Sequence, residues 1–242
     1  MNLFQMLLKN TLAGKKQFAV LIDPDKYTQA SLSVVVQLGI KAGVDYFLIG
    51  GSLLTHDTQS VFISYIKEQT TIPVVLFPGN NLQLNNQADG ILLLSLISGR
   101  NPDLLIGRHV ISAPFLKASK LEVISTGYML IESGRTTSVG YMSNTTPIPS
   151  HKDDIAVCTA MAGEMLGMKV IYMDAGSGAV NPVPLSMISK VKASIGIPLI
   201  IGGGITSPEL AKAAYGAGAD LIVVGNGIES DPELLTMIAA AR

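Results

Sequence analysis

LIIGGGITSPELAKAAYGAGADLIVVGNGI, residues 199–228, decides the fold. It opens on an apolar run, Leu199–Ile201, that breaks into three glycines, Gly202 to Gly204. Pro208 then starts a helical pattern that runs to Tyr215 and ends at Gly216. A second apolar run, Leu221–Val224, follows and again ends on glycine, Gly225. Proline just inside a helix start and glycine just past its end is the expected asymmetry. Both apolar runs are continuous rather than alternating, which marks parallel strands buried on both faces. The stretch therefore reads as a strand–helix–strand unit with a glycine turn after each strand.

The same pattern extends back along the chain. Further strands are predicted at Phe18–Ile22, Tyr46–Ile49, Val74–Phe77, Ile91–Ser95, Val123–Ser125 continuing as Tyr128–Ile131, and Val170–Met173. Helical patterns lie between most of them: Ser31–Ala42, Ser60–Gln69, Asp153–Leu166 and Pro184–Ser194, with Pro232–Ala241 closing the chain. Strand–helix alternation of this extent predicts an α/β fold, a single (β/α)8 TIM barrel spanning residues 1–242 as one domain. One connection departs from the pattern. PGNNLQLNNQADG, residues 78–90, is rich in Asn and Gly and too short for a crossover helix, so the third helix should be replaced by a loop. The segment 134–153 holds Pro147, Pro149 and several Ser and Thr, and reads as an active-site loop.

Composition narrows the function. Of 242 residues, 48% are hydrophobic and only 14% charged, which suits a large buried core and argues against disorder. The formal net charge is −1 with no basic block, which excludes an ordinary nucleic-acid binder. The one cysteine, Cys158, rules out an internal disulfide, suits a cytoplasmic protein and reads as a small core residue. The N-terminal stretch reads as an amphipathic helix rather than a signal peptide. The apolar content and ten methionines leave room for an oily ligand surface or a homo-oligomer interface, although a buried parallel sheet accounts for most of that content.

Active sites of such barrels lie at the C-terminal strand ends. Glycines there let backbone N–H groups approach a phosphate, and they also simply make tight turns. Their occurrence after both the seventh and eighth strands, with Ser177 and Gly178 alongside, favours phosphate. Asp23 and Asp25 flank Pro24 at the end of the first strand, beside Ser52. They suit either Mg²⁺ or a turn. Asp174 ends the sixth strand and suits either a general base or a turn cap. His56, His109 and His151 show no metal-ligand spacing.

IDPDK at 22–26, GGS at 50–52, YMDAGSG at 172–178, GGGI at 202–205 and VGNGI at 224–228 together resemble the geranylgeranylglyceryl phosphate synthase family, which includes the bacterial heptaprenylglyceryl phosphate synthases. The resemblance covers nearly the whole chain. It implies a barrel without its third helix, and a transfer of a prenyl group from a prenyl diphosphate to sn-glycerol 1-phosphate. It further implies Mg²⁺ as cofactor, served with the diphosphate by Asp23 and Ser52. Tyr172, Met173, Asp174, Ala175, Gly176, Ser177, Gly178, Gly202, Gly203, Gly204, Gly225 and Asn226 would hold the glycerol phosphate. Asp174 stands where the family usually has Glu and would take the proton of the attacking hydroxyl, with a side chain one methylene shorter. Peripheral membrane contact follows from a lipid product. Two other readings keep the glycine sites: an isomerase or lyase of small phosphates, and a non-catalytic phosphate-ligand sensor.

Overall fold

The computed structural model describes residues 2–56 and 58–242. Among them, parallel strands close into a barrel in chain order, with β1 (Gln17–Ile22) paired to both β2 (Tyr46–Ile49) and β8 (Leu221–Val224). Between these lie β3 (Val74–Leu76), β4 (Gly90–Leu96), β5 (Glu122–Leu130), β6 (Val170–Asp174) and β7 (Leu199–Gly202). The helices are α1 (Leu3–Leu12), α2 (Gln29–Ala42), α3 (Gln59–Gln69), α4 (Arg108–Ala118), α5 (Ser138–Ser143), α6 (Asp153–Met165), α7 (Leu185–Ser194), α8 (Pro208–Ala217), α9 (Asn226–Ser230) and α10 (Leu234–Ala239). The TIM barrel expected from the sequence is the fold found. β3 and β4 are joined by a single 3₁₀ turn, Asn81–Gln83, where the sequence predicted a missing helix. Asn80 and Asn85 make that connection, each accepting a backbone N–H two residues on, from Leu82 at 2.8 Å and Gln87 at 2.9 Å.

Continuous apolar strands arise because the sheet has two buried faces. Ala19, Leu48, Val75, Ile124, Val170 and Ile200 point inward and fill the barrel. Phe18, Phe47, Ile91, Ile171 and Ile201 point outward into a second layer beneath the helices. Truncating one of the fully buried aromatics, such as Phe47, to Ala is worth about 3–5 kcal/mol. The N-terminal end of the barrel is plugged by α1. Leu7 is buried there, and the backbone N–H groups of Leu3 and Phe4 donate to the Glu122 carboxylate at the start of β5. The opposite end, where the C-terminal strand ends lie, stays open.

Several expectations need correction. β5 is unbroken, because Gly127 lets the strand pass where a Cβ would press on Ile97 and Ile171. α8 runs through Gly216, which is tolerated in the helix, and is capped instead by Gly218 at φ +120°. α4, preceded by a π-helical turn at Asp103–Gly107, escaped the sequence reading because Pro114 sits inside it and its apolar periodicity is weak. The loop 134–153 contains α5. Cys158 is exposed rather than in the core. Ala156, Ala160 and Gly163 take the buried face of α6, and two residues on from Ala156 a helix has turned about 200°. No helix among the described residues is long and apolar enough to cross a membrane.

Candidate active site

The open end of the barrel holds a cavity of about 350 Å³, walled by the ends of β1, β2, β6, β7 and β8. On its β6–β8 side the wall is mostly backbone. Gly176, Gly178, Gly203 and Gly204 all have positive φ, and Gly203 shows why this matters. A Cβ on Gly203, at φ +79°, would lie 2.6 Å from the Gly176 nitrogen and 2.7 Å from an Asp174 carboxylate oxygen. The turn after β7 therefore nests directly on the turn after β6. Gly225 leads into α9, whose first N–H groups lack intrahelical acceptors and carry the positive end of the helix dipole. Glycine turns meeting a short helix N-terminus make an anion cradle.

Asp174 lies at the bottom of this cradle, 7% exposed. One carboxylate oxygen accepts the Tyr128 hydroxyl at 2.6 Å and the other accepts the Gly176 N–H at 2.7 Å. Burial raises its pKa above the ordinary carboxylate value, while those two donors oppose the rise. A carboxylate so placed is fixed in orientation and a stronger base than one in water. The phenols of Tyr128 and Tyr172 are held far above their usual range, first by burial and then by the Asp174 charge, so both stay protonated.

Side chains build the β1–β2 side. Lys26 reaches across the mouth, its Nζ lying 3.1 Å from Glu229, 3.3 Å from Asn226 Oδ1, 3.5 Å from Ser177 Oγ and 3.7 Å from Asp23. Among the described residues it is the one cationic side chain on the cavity wall, facing Asp23, Asp25, Asp174 and Glu229. Burial raises the pKa of both Asp23 and Glu229, and Lys26 lowers each in part. Asp25 is otherwise engaged. It accepts from the Thr55 N–H and hydroxyl and from the His56 N–H, and although burial raises its pKa, these bonds outweigh it and hold the carboxyl below its usual value. Asp25 thus pins the β2–α3 loop.

Asp23 and Ser52 both line the cavity, and the Gly51 backbone packs on the Asp23 carboxylate. Among the described residues no three His, Cys, Asp or Glu side chains gather into a protein-only metal cage. One carboxylate beside one hydroxyl nevertheless fits Mg²⁺, which takes few protein oxygens when phosphates supply the rest.

Phe77, Tyr128 and Tyr172 form an aromatic floor, with ring centroids 5.2–6.0 Å apart. Phe77, Tyr128, Gly51, Ser52 and Val139 also border a second cavity of about 180 Å³. Its wall is mainly apolar, with Leu84, Ile91, Leu93, Leu94, Leu96 and Leu104. It lies under α4 and beside the 3₁₀ turn, in the space that a third crossover helix would occupy.

The residues singled out in the sequence divide by strand geometry. Tyr172, Asp174, Gly176, Ser177, Gly178, Gly203, Gly204, Gly225 and Asn226 meet on the first cavity. Met173, Ala175 and Gly202 do not: Met173 and Ala175 belong to the outer core, and Gly202 pairs in β7 beside Asp174. Sequence reasoning assigned no role to Tyr128, Phe77, Glu229 or Arg135. The Arg135 guanidinium lies 3.3 Å from where a Cβ on Gly178 would stand. An aromatic at an inward position near a strand end was the available clue for Tyr128.

A closed barrel with glycine turns nested after β6, β7 and β8 defines the class: a (β/α)8 barrel of the phosphate-binding type. Within that class the chain belongs to the PcrB family, whose model matches residues 11–242. A geranylgeranylglyceryl phosphate synthase of Spirosoma linguale is 54% identical over 94% of this chain and 92% of its own length. The synthase of the same name from Chitinophaga pinensis is 53% identical over 99% of this chain and 95% of its own. Among solved structures, (S)-3-O-geranylgeranylglyceryl phosphate synthase from Thermoplasma acidophilum, in complex with sn-glycerol-1-phosphate, superposes with a TM-score of 0.93 at 32% identity, covering all of this chain and 98% of that one. The chain is accordingly an enzyme of the prenyltransferase class.

Proposed function

We propose that this enzyme joins a prenyl diphosphate to sn-glycerol 1-phosphate, releasing diphosphate and forming a prenylglyceryl phosphate ether. The observation that carries the reading is the meeting of two unlike cavities, one polar and glycine-lined, one apolar, at Ser52, Phe77 and Tyr128. The two halves of the donor need such a junction, with the tail in the groove and the diphosphate at the mouth. Both the solved relative's bound sn-glycerol-1-phosphate and the names of the close relatives support the choice of substrates.

The acceptor phosphate sits on the N–H groups of the β6–β8 turns, with Ser177 and Asn226 beside it. Of its two free hydroxyls, the one on C3, farther from the phosphate, then points toward Asp174. The hydroxyl oxygen bonds to C1 of the prenyl chain as the C1–diphosphate bond breaks, the bonding pair leaves with the diphosphate, and the hydroxyl proton passes to Asp174. Charge builds at C1 beside the faces of Phe77, Tyr128 and Tyr172, where π-electron density stabilises a cation. The phenols stay protonated there, so Tyr128 keeps its hydrogen bond to Asp174. Asp23 and Ser52 would hold Mg²⁺, which when bound supplies positive charge against the diphosphate leaving group. Lys26, tethered by Glu229, adds a cation between the two anionic substrates. Positioning and charge stabilisation account for most of the rate in such a scheme.

The test is incubation with Mg²⁺, sn-glycerol 1-phosphate and a radiolabelled prenyl diphosphate. An organic-extractable, acid-stable prenylglyceryl phosphate is expected. Label that stays in the aqueous phase with every donor length overturns the proposal in favour of a phosphate isomerase, lyase or sensor.

A further inference from the structure

The connection that replaces the third helix exposes Gly79, Leu82, Asn86 and Gln87. Leu82 is 89% exposed, yet its neighbour Gln83 is 3% exposed. The Gln83 amide is turned inward onto the loop after β2. Its Nε2 donates to the Gly51 carbonyl at 2.8 Å. Its Oε1 accepts the Gly79 N–H at 3.1 Å and the Gly51 N–H at 3.4 Å. From α3, the buried Gln59 donates its Nε2 to the Gln83 carbonyl at 3.3 Å and fixes the turn from behind. A Cβ on Gly79 would collide with the carbonyl oxygens of Gly51 and Ser52, so the two loops are in backbone contact. The 3₁₀ turn does not need this amide, since Asn80 already caps it. The amide pairs with Gly51 on both sides, as a neighbouring strand would.

We infer that Gln83 is a positioning residue for the donor substrate, acting through Gly51 and Ser52. Removing a crossover helix opens the apolar groove, and it also strips support from the end of β2. Gln83 restores that support with one side chain and leaves the groove open. Through it, Ser52 stays at the border of the two cavities, where the diphosphate end of the donor and the head of its tail must part. Among the described residues, the Gln83 amide makes no hydrogen bond to the acceptor cradle built on β6 to β8. The inference rests on the reading of the mouth as a prenyl diphosphate site.

The experiment compares Gln83→Met, which keeps length and loses every amide bond, with Gln83→Glu, which keeps the accepting oxygen and sets an oxygen against the Gly51 carbonyl. Calorimetric binding of prenyl diphosphate with Mg²⁺, and separately of sn-glycerol 1-phosphate, is measured alongside steady-state kinetics. Donor Kd and KM should rise roughly ten- to a hundredfold in both variants, the scale that misplacement by about 1 Å produces. Acceptor Kd should move by less than about twofold, because the Gln83 amide bonds only to Gly51 and Gly79 and to no residue of the β6–β8 turns. Unchanged donor affinity overturns the inference. So does parallel loss of both substrates, which would make the amide a support of the whole fold. A wild-type protein that binds the donor but forms no ether would refute the proposed function alone, since the binding split still reads Gln83.

Discussion

The two sides of the barrel mouth are built from different materials. On the β6–β8 side, glycine turns stack on one another and line the cavity with backbone. On the β1–β4 side, the loops are spaced by side chains: Asp25 pinning Thr55 and His56, Gln83 clamping Gly51, and Lys26 spanning to Glu229. A backbone cradle is rigid and suits a small, constant group such as a phosphate. A side-chain scaffold leaves room to omit a helix and admit a long apolar tail.

That contrast breaks most sharply at Gly203. Gly203→Val forces a side chain onto the Gly176 nitrogen and the Asp174 carboxylate at a backbone angle that valine rarely adopts. Acceptor binding should fall below detection by calorimetry, while prenyl diphosphate still binds. An unaltered acceptor Kd in a folded variant would show that the cradle is not the acceptor site. Next in size is Asp174→Asn, which keeps the bond to Tyr128 and removes the base. The expected loss is roughly 10²–10⁴-fold in kcat with little change in acceptor KM. Asp174→Glu should retain substantial activity, because charge is kept and reach only lengthens. Burial raises the Asp174 pKa, so the ionised base appears only as pH climbs past the ordinary carboxylate range. Activity should therefore rise with pH along an acid limb displaced upward, and that limb should vanish in Asp174→Asn. Wild-type rates in Asp174→Asn would make Asp174 a structural cap. Asp23→Asn, on the side-chain-built half, should raise the Mg²⁺ concentration needed for half-maximal rate by roughly tenfold and leave the acceptor Kd alone. Activity that persists in EDTA would remove the metal role.

Legibility followed the same division. The cradle could be read from the chain because glycine after a buried strand is a local signal: GGGI and GNGI stand in the sequence as they stand in space. β2 and β8 were also legible to the residue, since each is a short β-branched or aromatic run between polar turns. The role of Asp25 stayed open between metal and turn, because the sequence does not show that Thr55 and His56 turn back to meet it. Met173, Ala175 and Gly202 came along with their motifs although strand alternation turns Met173 and Ala175 into the outer core. The missing third helix could be inferred from PGNNLQLNNQADG, but not the groove that its absence opens. The groove depends on α4, which Pro114 and a faint apolar stripe concealed. Gln83 gave no signal, because a glutamine in an Asn-rich turn looks solvated until the loop it faces is known.

The central claim is that one mouth holds two sites of opposite character, and donor length tests it most directly. kcat/KM is measured at saturating sn-glycerol 1-phosphate for a five-carbon and a twenty-carbon prenyl diphosphate. Each buried methylene is worth about 0.8 kcal/mol, so even partial burial of the longer tail should raise kcat/KM by roughly a hundredfold or more. Equal values for the two donors, with acceptor binding intact, would mean that the apolar cavity beside the 3₁₀ turn does not receive the tail and would contradict the account.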